Sequence, residues 1–165
     1  MRLYLPVTSI QLAALAAAGL GPAPLTGFAV TPGLREFYLD DDLEALEYAA
    51  MSEAAQACLR LIDATPTAAR RRIVVAADVD DDQVTVRDDL ERGVVRVGIA
   101  IPIGWCASIH CDDAEAEPTV AAAASAVIAA DLGDQDAEDR VDDAAGYELS
   151  WYATQELADL LAEIG

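Results

Sequence analysis

The sequence predicts an α/β fold, with α+β as the alternative: a single domain, residues 1–165, in which helices pack on a mixed sheet of five or six strands. Three observations carry that expectation. Short β-branched runs bounded by Asp, Gly and Pro, chiefly Arg72-Ile-Val-Val-Ala-Ala-Asp-Val79 and Val94-Val-Arg-Val-Gly-Ile-Ala-Ile-Pro102, have the length and composition of covered strands. Other stretches repeat apolar residues every three or four positions, as helices that bury one face do. Finally, 165 residues at 54% hydrophobic content suit one core, and the chain should fold without a partner.

Taken in order, Arg2-Leu-Tyr-Leu-Pro-Val7 is expected as a strand, with Pro6 suggesting an edge or an end. Thr8 and Gln11 have the spacing of a capping box, and Gly19 can close the helix between them. Gly21-Pro-Ala-Pro24 cannot continue a helix, and Thr26 to Thr31 is a second strand. Leu34 to Leu39 forms a short helical turn. Residues 40–42 supply caps for the longest helix, Asp42 to Ala64, whose Leu43, Leu46, Ala50, Ala54, Cys58 and Leu61 mark the core face.

Arg70-Arg-Arg72 leads into the third strand, and Val84-Thr-Val86 offers a short pairing within the polar Asp80 to Arg92 segment. The runs at Val94 to Pro102 and Trp105 to Cys111 are close enough for antiparallel neighbours. Pro118 suits the first turn of a helix that reaches Leu132 and stops at Gly133. Asp134 to Tyr147 is an exposed helix or a loop, Glu148 to Ala153 a strand, and Thr154 to Ile164 a terminal helix. Strand, helix, strand, helix, strand implies parallel crossovers early in the chain and hairpin-like pairing late.

The charge is −20, and all ten cations are Arg. Codon bias in a GC-rich genome produces that composition; a working negative field is the other explanation. Either way it repels phosphate backbones and anionic membranes, so direct nucleic-acid binding is not expected and a basic partner is favoured. Cys58, Cys106 and Cys111 are an odd number in a chain that needs no disulfides, and a cytoplasmic location follows as the expectation. Thr8, Ser9 and Gln11 interrupt the early apolar run as a signal peptide would not, and no run is long enough to span a membrane.

The chemical motifs are weak. Asp78 to Asp89 places carboxylates in a calcium-loop register, but Gln83 stands where glycine makes the turn and Asp89 is shorter than the usual Glu. In an extended segment Cys106 and His110 share one face and Cys111 takes the other, so no zinc site closes. Ser108 and His110 lie side by side on a strand, and no nucleophile elbow or phosphate loop accompanies them. No metal and no cofactor are therefore expected, and no catalytic residue is selected.

Arg, Tyr and Trp are the usual anchors of binding surfaces, and they concentrate in two segments. The expected contacts are Arg35, Tyr38, Trp151, Tyr152, Gln155 and Glu156. A non-enzymatic interaction domain, binding a protein partner or a second copy of itself, is the leading expectation. A ligand or enzyme site at the carboxyl ends of parallel strands, near Val7, Thr31 and Asp78, is the second. An acidic phosphate mimic that inhibits a nucleic-acid-binding protein is the third.

The strings Gly21-Pro-Ala-Pro-Leu-Thr-Gly-Phe-Ala-Val-Thr-Pro-Gly-Leu-Arg-Glu-Phe-Tyr38, Arg72 to Val79 and Trp151-Tyr-Ala-Thr-Gln-Glu-Leu157 resemble a family of short, acidic, uncharacterised actinobacterial proteins. The resemblance spans most of the chain. It implies a high-GC bacterial origin and a cytoplasmic location, and it carries over no catalytic residue.

Overall fold

The computed structural model describes residues 1–39 and 41–165. Among them are seven strands: β1 (Arg2–Val7), β2 (Leu25–Phe28), β3 (Ile73–Asp78), β4 (Val84–Val86), β5 (Val94–Val97), β6 (Cys106–Cys111) and β7 (Ser150–Tyr152). The helices are α1 (Ser9–Ala18), α2 (Pro32–Tyr38), α3 (Leu43–Ala64), α4 (Glu117–Asp131), α5 (Gln135–Ala145) and α6 (Leu157–Ile164). The strands form one sheet in the order β4-β5-β2-β1-β3-β6-β7. Every pairing is antiparallel.

The expected mixed sheet of five or six strands is thus corrected to an antiparallel sheet of seven, and the class to α+β. The cause lies in how each helix returns the chain. After α1, Gly19 (φ 73°) turns the backbone, Leu20 bridges to Ile101, and β2 comes back antiparallel beside β1 instead of crossing over. A strand, helix, strand order does not fix direction. The apolar runs were ambiguous for a related reason: the central strands are covered on both faces, so they lack the polar alternation of a half-solvated antiparallel sheet.

On one face, Leu3, Leu5, Ile73, Val75, Val95 and Ile109 pack with Leu12 and Leu15 of α1 and Leu157 and Leu160 of α6. On the other, Tyr4, Phe28, Val74, Ala76 and Val94 meet Leu34 of α2 and Ala50 and Ala54 of α3. Alanine allows α3 to lie close to the strands. A third cluster joins Leu59 and Ile62 of α3 to Val120, Ala123 and Val127 of α4 and to Val141 and Ala144 of α5. The acidic segment after Gly133 is therefore a helix with one buried face.

β5 and β6 are not the expected neighbours. β2, β1 and β3 lie between them, and β5 instead forms a hairpin with β4. The first helix cap matches the expectation: the Gln11 N–H donates to Thr8 Oγ1 (3.3 Å) and the Thr8 N–H to Gln11 Oε1 (2.8 Å). Asp42 caps α3, its side chain accepting from the Glu44 N–H at 3.1 Å, while Asp40 lies outside the described residues.

Candidate functional site

The arginine triplet before β3 has structural work, which the sequence reading missed. Arg70 Nη1 donates to the Ile62 carbonyl (2.7 Å), closing the end of α3. Arg71, almost fully buried, donates to Glu117 (2.7 Å) on α4 and Glu163 (3.1 Å) on α6. Arg72 holds the fully buried Asp112 through its backbone N–H, Nε and Nη2 at 2.8, 2.8 and 2.7 Å, and also reaches the Tyr147 carbonyl at 3.0 Å. Buried ions need such partners, so three consecutive Arg before a strand were the available signal.

The thiol and imidazole groups do not converge. A register shift between Ala76 and Ala77 pairs Cys106 with Ala77, so Cys106 joins Cys111 on the α1/α6 face, against expectation. Ser108 and His110 face the other side, across from Ala76 and Val74. Burial pushes the thiols up to about 11 for Cys58 and Cys106 and about 12 for Cys111, which favours the protonated form of each at neutral pH. Ser108 Oγ lies 2.9 Å from His110 Nε2, but the serine is buried. Burial, and then the charge of Arg2, hold His110 below its ordinary value. Among the described residues no three His, Cys, Asp or Glu side chains are placed to hold a metal ion.

The site expected at the ends of parallel strands is also not formed. Arg2 pairs with Asp78 and Val7 with Ile73, so Val7 and Asp78 lie at opposite ends of the sheet. Val7 is core, Thr31 caps α2 by accepting from the Leu34 N–H at 3.1 Å, and Asp78 binds Arg2 at 2.8 Å.

The two aromatic segments are both at the surface but on different parts of the fold. Arg35 and Tyr38 belong to α2, which follows β2; Trp151 and Tyr152 belong to β7, the far edge, with β1, β3 and β6 between the two strands. Arg35 is exposed, and Tyr38 meets Phe37 edge to face at 4.9 Å between centroids. Trp151 is 62% exposed, Tyr152 packs partly on the core, and Gln155 is exposed. Glu156 accepts from the Ala153 N–H at 2.8 Å and so helps start the last helix.

The exposed apolar surface of α2 continues past the residues that its sequence marks. Phe37 (51% exposed), Leu39 (89%) and Leu43 (50%), with Tyr38 and Tyr48, are exposed apolar side chains along the corner where α2 leads into α3. The Arg92 guanidinium stacks on Phe37, 3.7 Å from its centroid. Beside this corner a cleft of about 610 Å³ opens between α3 and the turn from β4 to β5, bounded by Glu53, Gln56, Arg60, Glu91, Phe28 and Val94. A smaller hollow lined by Tyr38 shares Glu53 and Gln56 with it, so the two features run together along α3.

Fold and surface define an α+β domain with helices on both faces of an antiparallel sheet, an open acidic cleft and an apolar corner. By its sequence the chain belongs to a family of unknown function, DUF6912, whose model matches residues 1–161. Neither the curated proteins nor the solved structures contain a match. Among the described residues no helix is long and apolar enough to cross a membrane.

Proposed function

We propose that the chain is a non-catalytic protein-interaction domain whose α2–α3 corner docks on a basic protein partner. The observation that carries this reading is the exposure of Phe37, Tyr38, Leu39, Leu43 and Tyr48 within one short span. Single exposed apolar residues, such as Ile10 and Ile128, are ordinary; a group of them is the usual mark of an interaction surface. Net charge selects the partner's chemistry. Two copies at −20 each repel, whereas a basic surface is attracted from a distance and its association accelerated.

Trp151 provides a second, smaller contact on the edge strand. Catalysis has less support, because the thiols are held protonated and the serine beside the single histidine is buried. The test is a photo-crosslinking amino acid placed at position 39 in the native cell, with position 128 as control. A discrete adduct with a basic protein from position 39, absent from position 128, is the expected result. Equal labelling from both positions, or none from position 39, would overturn the reading.

A further inference from the structure

We infer that the cleft between α3 and the β4–β5 turn is a binding site for an alkyl cation, a guanidinium or ammonium group on a hydrocarbon stem. The inference stands apart from the docking corner: it concerns a concave site with its own chemistry. Its volume, about 610 Å³, lies within the range of roughly 300–1,000 Å³ usual for small-molecule sites.

The charge in the cleft sets the class of ligand. Glu53, Glu91 and Asp131 line it against a single cation, Arg60. Arg60 is already committed, its Nε and Nη2 holding both oxygens of Asp131 at 2.9 and 2.7 Å. That leaves Glu53 and Glu91, and among the described residues no ion pair reaches either one. Glu53 Oε2 is buried with no hydrogen-bond partner, packed so near Gly93 that a β-carbon there would lie 2.7 Å away. Burial, then repulsion from Glu91, raise the Glu53 pKa, and Arg92 only partly offsets them. Two carboxylates that repel across an open cleft are relieved by a cation.

The walls distinguish an organic cation from a metal ion. Phe28 and Val94 are cross-strand partners and form an apolar floor, with Ala57 and Leu90 beside them. A bare divalent ion needs several oxygens around it, and the described residues supply no such group. A hydrocarbon stem on the floor, with its charged end between Glu53 and Glu91 and donors available to Gln56 and Thr26, matches the part of the lining that the Arg60–Asp131 pair leaves free. Such a group comes either free, as a small amine or guanidine, or as an Arg or Lys side chain of a protein.

The test is a titration of the whole ¹⁵N-labelled chain, followed by amide shifts, with butylguanidinium, with a blocked Gly-Arg-Gly peptide, and with butylurea as the neutral isostere. Saturable shifts at 53–60 and 90–94 with a cationic probe, at least tenfold weaker with butylurea, are expected. Tighter binding of the peptide would identify a protein side chain as the source, and tighter binding of butylguanidinium a free small molecule. Glu53→Gln/Glu91→Gln should weaken binding at least tenfold; Glu91→Gln alone, at an exposed turn, should weaken it in the same direction if the double variant folds poorly. Absence of saturable shifts with either cation, equal binding of butylurea, or indifference to these substitutions would overturn the site. None of these results bears on crosslinking from position 39.

Discussion

Asp112 is a fully buried carboxylate surrounded by three donors of a single arginine, Arg72. Such a pair adds little net stability compared with an apolar substitute, but losing one member leaves a buried charge unmatched. Asp112→Ala should cost about 3–5 kcal/mol, read from urea unfolding at neutral pH; a loss below about 1 kcal/mol would contradict the geometry. Glu53 makes the opposite case. Its folded pKa is raised, so between the unfolded value, about 4.3, and the folded one the native state holds more protons, and stability falls as pH rises through that window. Glu53→Gln removes this fall. Its stability relative to wild type should increase with pH from about 4 upward and then level off, a trend that unfolding curves at several pH values would show or refute. Neither residue announced itself in the sequence, because Asp112 meets its partner 40 positions away and Glu53 acquires its setting only from the β4–β5 turn.

Among the elements, what could be read from the sequence was local. The Thr8 and Gln11 box, the closing Gly19 and the long α3 all depend on residues within one or two turns, and each forms as expected, except that Leu43, expected on the core face of α3, is half exposed at its first turn. Thr8→Ala should therefore cost about 1 kcal/mol of unfolding free energy, the usual value for a lost helix cap. Gly19 has a tighter constraint than capping alone requires. It adopts φ 73°, and a β-carbon there would lie 2.7 Å from the Ile101 carbonyl oxygen, which is backbone and cannot swing aside. Gly19→Ala should destabilise by more than about 1 kcal/mol, and a neutral effect in thermal melts would mean the Leu20–Ile101 bridge is misplaced. The shift of register in β6 was not legible, since nothing in Cys106 to Cys111 marks it; it moved Cys106 to the opposite face from His110.

For the whole molecule, strand direction and order were the part beyond local pattern. Covered central strands lose the alternation that marks an antiparallel sheet, and the run Val94 to Pro102 joined β4 and β2 instead of its successor in sequence. The exposed aromatic residues were legible in part, as Arg35 to Tyr38, but that Leu39, Leu43 and Tyr48 are exposed as well follows only from how α2 and α3 pack on the sheet. At −20 the molecule repels itself in the compact state, and salt shortens the reach of that repulsion from roughly 30 Å at 0.01 M to about 8 Å at 0.15 M. The melting temperature should rise between those two concentrations of sodium chloride. The docking reading is tested most directly by quantitative affinity capture from native cells, comparing wild type with Leu39→Asp/Leu43→Asp at matched stability. One basic protein should be recovered at least tenfold less with the double variant; equal recovery would contradict docking through this corner.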